Sequence, residues 1–117
     1  MAVTIEGIGE DAVFNGFGLG IVSGSDIEVR NMAVMQQGSS YDNMEVKGAI
    51  HVWIHNNDYF YGQKGGGDHG KGDGSLDAKD GCSYATFSYN RYHDSGKSML
   101  CGMKSETTAN LLSYHHN

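Results

Sequence analysis

The sequence predicts an all-β chain wound as a parallel β-helix, and three observations lead there. Helical patterning is nearly absent, because no long window keeps apolar side chains at i, i+3, i+4 and i+7 between caps. Short β-prone runs are separated instead by clusters of Gly, Ser, Asn and Asp, with 18 glycines and no proline in 117 residues. The runs also resemble one another. Ile27-Glu28-Val29-Arg30-Asn31, Val52-Trp53-Ile54-His55-Asn56-Asn57, Thr86-Phe87-Ser88-Tyr89-Asn90 and Leu111-Leu112-Ser113-Tyr114-His115-His116-Asn117 each alternate and then end in asparagine. The step from Asn31 to Asn57 is 26 residues, from Asn57 to Asn90 is 33, and from Asn90 to Asn117 is 27. A loose period with insertions between its units marks a solenoid, and three short strands per turn fit its length. Asparagines stacked at equivalent corners can then form an amide ladder. A β-sandwich, whose strands also alternate, is the competing architecture.

Along the chain the strands are read as follows. Val3–Ile8 opens with the β-branched run Val3-Thr4-Ile5, and Gly18–Val22 and Asp26–Val34 follow between glycine- and serine-rich breaks. Ala49–Phe60 is the longest run, and Ser75–Ala78, Tyr84–Tyr92, Ser98–Gly102 and Ala109–His116 complete the set. The insertion Tyr61–Asp73 is too rich in glycine to pack as an element, so it is read as a loop. Loops that interrupt a solenoid turn commonly build its binding surface.

Composition narrows the function. Eight Lys and Arg against fourteen Asp and Glu give a net charge of −6, which disfavours duplex nucleic acid or an anionic membrane as the main partner. A cation bridge would still let an acidic surface hold a polyanion. No apolar run approaches the ~20 residues of a membrane span, and Met-Ala-Val-Thr-Ile has no leader-peptide pattern. The length suits one domain. Cys82 and Cys101 make neither a disulfide framework nor a zinc site by themselves.

Several residues carry candidate chemistry. Asp73 and Asp77 flank Gly74-Ser75-Leu76, and two carboxylates on one face suit calcium if a bend at Gly74 brings them together. Two solvated acids at a turn are the plainer reading of that motif alone. His93-Asp94-Ser95 has no nucleophile elbow around it, so a serine hydrolase is disfavoured. His115 and His116 are adjacent, so within a strand they would face opposite sides and not share a metal. Lys97 at a strand entry is a solvated charge unless its face carries an anionic substrate. Trp53 should face away from Val52 and Ile54, either packed or free to stack on a sugar ring.

Taken together, these segments resemble the pectate lyases of the first polysaccharide lyase family. The stretches that carry the resemblance are Val52–Asn57, Asp73-Gly74-Ser75-Leu76-Asp77-Ala78-Lys79, Phe87–Leu100 and Tyr114-His115-His116-Asn117, in the family's order over nearly the whole chain. The resemblance implies a right-handed parallel β-helix of about four to five rungs, with residues 1–117 forming one partial domain. It implies a secreted lyase that cleaves polygalacturonate, the pectin backbone, by calcium-dependent β-elimination. Asp73 and Asp77 match the family's acidic calcium pair, Asp42 matches an earlier calcium aspartate, and Lys97 matches the lysine that holds a substrate carboxylate.

Two departures bear on activity. The family's Trp-Ile-Asp-His reads Trp53-Ile54-His55-Asn56, and the family's base arginine lies in an Arg-x-Pro-x-x-Arg stretch that would fall beyond Asn117. Arg30 and Arg91 are the two arginines present, and neither sits in that motif. The alternatives are a non-catalytic β-helix that binds acidic polysaccharide and a structural solenoid that self-associates through its end rungs. Pectin lyase, which works without calcium, would not need the acidic pair.

Overall fold

Successive residues of a strand face opposite sides, so each alternating run can bury one row of side chains and leave the other in solvent. A computed structural model, describing residues 2–37, 41–62, 72–102 and 110–117, shows how the runs are folded. The described residues form strands and no helix: β1 Val3–Glu6, β2 Val13–Asn15, β3 Leu19–Val22, β4 Ser25–Arg30, β5 Ala33–Gln36, β6 Met44–Lys47 and β7 Ile50–His55. The chain continues with β8 Asp58–Tyr61, β9 Leu76–Lys79, β10 Ser83–Ser88, β11 Arg91–Tyr92, β12 Met99–Cys101 and β13 Asn110–His115. Every third strand joins the same sheet. The first sheet has the order β1-β4-β7-β10-β13, the second β11-β8-β5-β2 and the third β12-β9-β6-β3. All their pairings are parallel. Three parallel sheets visited in rotation make a parallel β-helix, here four turns and the first strand of a fifth.

Three of the runs read as single strands are strand pairs. Asp26–Val34 divides into β4 and β5, Ala49–Phe60 into β7 and β8, and Tyr84–Tyr92 into β10 and β11. In each case a corner at the asparagine position redirects the chain while the apolar alternation continues beyond it. β2 and β6 escaped the sequence reading because Val13–Asn15 and Met44–Lys47 are short, with few apolar residues each. Residues 63–71 of the glycine-rich loop, and Ala109, lie outside the described residues.

The asparagine corner is a continuous ladder. Asn57 Nδ2 donates to the Val29 carbonyl at 3.0 Å, Asn90 Nδ2 to Ile54 at 2.9 Å, and Asn117 Nδ2 to Phe87 at 2.9 Å. The backbone N–H of Asn57 donates to Asn90 Oδ1, and that of Asn90 to Asn117 Oδ1, both at 3.1 Å. Backbone groups at a buried bend therefore find partners without a sheet ladder. Asn31 does not belong to this column. Met32 occupies the ladder position, donating its N–H to Asn57 Oδ1, while Asn31 sits one residue earlier. That earlier column, Asn31, Asn56, Tyr89 and His116, is left-handed throughout, with φ between 54° and 56°. Asparagine tolerates that region best, which explains its presence in the first two turns.

Inward rows build the core by register. Val29, Ile54, Phe87 and Tyr114 stack in the first sheet, and Val34, Tyr59 and Tyr92 in the second. Met44 over Leu76 and Val46 over Ala78 stack in the third. Burying each such side chain contributes roughly 1.5–3 kcal/mol. The core is therefore a set of columns along the helix axis, and the outward rows are free to carry charge.

Candidate functional site

The outward row of the third sheet is unusually rich in charge. In β6 the sequence Met44-Glu45-Val46-Lys47 sends Glu45 and Lys47 outward, and in β9 Leu76-Asp77-Ala78-Lys79 does the same with Asp77 and Lys79. The register places Glu45 beside Asp77 and Lys47 beside Lys79. Acid and base thus alternate along each strand, while between rungs like charges are in register and Lys79 reaches diagonally to Glu45.

Local structure brings Asp42 to this row. Asn43 is fully buried and donates through Nδ2 to the carbonyls of Val34 at 2.9 Å and Phe60 at 2.7 Å, which pins the entry to β6. The Asn43 N–H donates to the Gly74 carbonyl at 3.1 Å, tying that entry to the next rung. Tyr61 Oη donates to the carbonyls of Tyr41 and Gly74, bracing the same two segments. Its ring lies where a side chain at position 72 would stand: a Cβ there would be 1.8 Å from Tyr61 Cε1, and φ is +78°. Glycine is required at 72 on both counts.

Asp42 and Asp77 then converge on Gly74. Asp42 Oδ1 accepts the Gly74 N–H at 2.9 Å. A Cβ on Gly74 would stand 2.7 Å from Asp77 Oδ1 and 3.0 Å from Asp42 Oδ1, so both oxygens press on the space glycine leaves open. Burial, and then the Asp77 charge beside it, pushes the Asp42 carboxyl up to about 6. Asp73 lines the same pocket but holds a different partner, Lys97, whose Nζ donates to Asp73 Oδ1 at 2.9 Å. The backbone repeats that contact, Lys97 N–H to Asp73 carbonyl at 3.0 Å. The pocket encloses about 220 Å³, with Met99 and Leu100 forming its apolar side.

Asp42, Asp73, Asp77 and Lys97, all singled out from sequence, therefore face one pocket. The chain bends at Asp73 and Ser75, on either side of Gly74, and the carboxylate that meets Asp77 over Gly74 is Asp42 from across the rung, while Asp73 stays with Lys97. Among the described residues, no three acidic, histidine or cysteine side chains are grouped to hold a metal. The third place is taken by Lys79, whose Nζ lies 2.9 Å from Glu45 Oε2, 3.3 Å from Asp77 Oδ2 and 3.9 Å from Asp42 Oδ2. Two convergent carboxylates, one of them burdened by like charge, fit a hard divalent cation as a partial ligand set. Lys79 and Glu45 were not singled out, although the i, i+2 spacing of Asp77-Ala78-Lys79 already puts both charges on one face.

Other expectations are met or corrected. His93 makes no triad: its Nε2 and Nδ1 meet Asp58 Oδ1 at 2.8 Å and Asp94 Oδ2 at 2.9 Å. His115 and His116 do come together, with Nδ1 atoms 2.8 Å apart, because β13 ends at His115 and the left-handed φ of His116 turns it back. Trp53 faces outward and is half-exposed, stacking on His55 and donating to Ser88 Oγ. His55, in the altered Trp-Ile-His-Asn stretch, joins Glu28 at 2.8 Å. Both cysteines are free, Cys82 buried and Cys101 exposed.

The architecture and pocket define a class: a parallel β-helix whose third sheet carries carboxylates and lysines beside an open pocket. A family model described as pectate lyase matches residues 1–117. The chain is 34% identical over 118 residues to pectate lyase B of Dickeya chrysanthemi, covering 94% of this chain and 32% of that protein. It is 30% identical over 118 residues to a pectate trisaccharide-lyase of Bacillus licheniformis, covering 98% and 34%. A pectate lyase of Bacillus subtilis is 33% identical over 95 residues, covering 68% and 22%. No solved structure gives a significant match. The chain belongs to the pectate lyase family, and it spans between about a fifth and a third of the length of these relatives.

Proposed function

We propose that this β-helix binds polygalacturonate through calcium at the Asp42–Asp77 pocket, as the central part of a secreted lyase that cleaves the polymer by β-elimination. The observation that carries the reading is the convergence of Asp42 and Asp77 oxygens over Gly74 in a pocket shared with Lys97. Asp42 and Asp77 would hold the ion, with Asp73 available once Lys97 leaves it. Calcium held there would supply positive charge that attracts a uronate and offsets the negative charge developing as the C5 proton leaves. Lys97 is largely exposed and would donate to the same uronate carboxylate, exchanging an intramolecular partner for a substrate one. Gly74 keeps the approach open, and Met99 and Leu100 form its apolar side.

A second reading, binding without cleavage by these 117 residues, is favoured by a specific observation. Among the described residues, no arginine lines the pocket. Arg30 is held by Glu6 and Glu28 on the first sheet, and Arg91 lies on the second. General base catalysis typically contributes ~10²–10⁴-fold, so turnover by this chain should fall by at least that much against a complete site. A pull-down on polygalacturonate with calcium, beside ultraviolet detection of unsaturated product, tests the reading. Capture with little product is expected, and no capture would contradict it.

A further inference from the structure

Lys79 lines the pocket where the proposed function needs a cation, and its ammonium already stands beside the carboxylates that would hold one. We propose that Lys79 is the pocket's internal counter-ion: it neutralises Asp42 and Asp77 when no divalent ion is there, competes with the ion for them, and yields by withdrawing onto Glu45. The inference rests on the cation reading above and adds the residue that sets the ion's affinity.

The geometry supplies the argument. Lys79 is 8% exposed, so its ammonium has little water and depends on the three carboxylates around it. Its contacts are graded: shortest to Glu45 at 2.9 Å, longer to Asp77 at 3.3 Å and longest to Asp42 at 3.9 Å. The two weaker contacts go to the two residues that converge on Gly74, and the strongest goes to a residue that does not line that pocket. Glu45 is fixed from its other side by Lys47, Nζ to Oε1 at 2.7 Å, so it stays in place to receive the displaced ammonium. An ammonium and a divalent ion a few ångströms apart repel strongly at low effective dielectric. The two cannot share Asp42 and Asp77 on equal terms, and a short retreat toward Glu45 resolves the conflict.

The test is calorimetric titration of the chain with calcium chloride, with thermal melts in calcium and in chelator, for wild type, Lys79→Gln, Lys47→Gln and Glu45→Gln. Lys79→Gln should melt lower in chelator, bind calcium about tenfold tighter, and show the larger calcium-induced rise in midpoint. Lys47→Gln carries the same charge change but no contact with Asp42 or Asp77, and should shift affinity by less than about threefold. Glu45→Gln removes the resting place of the ammonium and should weaken binding several-fold. Unchanged or weaker binding in Lys79→Gln overturns the inference while wild-type binding upholds the cation site. Equal tightening in Lys47→Gln also overturns it, because net charge alone would then explain the effect. Should Lys79→Gln not fold, unchanged affinity in Glu45→Gln overturns it. Absence of calcium binding in every protein removes the cation reading and this inference together.

Discussion

Asp42 Oδ1 and Asp77 Oδ1 face the same side of Gly74, close enough that a single added methyl there would crowd both. The two residues are 35 positions apart in sequence, and the stacking of β6 on β9 makes them neighbours. The pocket is thus a property of rung register, and the first prediction follows from its tightest point. Gly74→Ala should fold, because φ at 74 is not left-handed, while calcium affinity falls by an order of magnitude or more. Circular dichroism checks the fold and calorimetry the affinity.

The pocket should respond to pH through Asp42. Its carboxyl is raised from 3.8 to about 6 by burial and by Asp77, so the folded state favours the protonated form. The stabilising contribution of this group is complete below about pH 3.8 and is lost as pH rises through about 6. Calcium needs the ionised form, so its affinity should fall as pH drops from 7 to 5. Titrations across that range should show the fall in wild type and a flatter profile in Asp42→Asn.

Lys97 makes the opposite kind of contact, exposed and bonded to Asp73. Lys97→Ala should leave the melting temperature nearly unchanged, since exposed pairs contribute little. Affinity for polygalacturonate in calcium should fall several-fold. Affinity for calcium alone should hold or rise, because Asp73 is released. Binding curves for ion and polymer separate these effects.

The asparagine ladder predicts a stability effect away from the pocket. Asn90 accepts from the Asn57 N–H and side chain and donates to the Ile54 carbonyl. Asn90→Ala leaves two buried backbone groups unpaired, the Asn57 N–H and the Ile54 carbonyl, at ~1–3 kcal/mol each, so a loss of about 2–6 kcal/mol is expected. Denaturant unfolding measures it. Asn31→Ala, one step outside the ladder, should cost less.

Much of this fold was legible because the period-two alternation and the asparagine corners are local signals. The ladder at Asn57, Asn90 and Asn117 could be read directly, whereas Asn31 shares the residue type but not the position, since a left-handed corner also prefers asparagine. The strand pairs β4–β5, β7–β8 and β10–β11 ran together because a tight corner keeps both strands apolar on the same side. Asp73 and Asp77 were legible from their shared Asp-Gly-Ser-Leu-Asp stretch, whereas Lys97, twenty residues later, joined them only through the family resemblance. The partnership of Asp42 with Asp77, and the place of Lys79 between them and Glu45, depend on register between rungs, which no single stretch of sequence records.

The most direct measurement of the central claim is the binding of polygalacturonate to the 117-residue chain in calcium and in chelator, for wild type and Asp77→Ala. The account predicts that wild type binds in calcium, that chelator abolishes binding, and that Asp77→Ala binds weakly in both. Equal binding by wild type in calcium and chelator, or by both proteins in calcium, would contradict it.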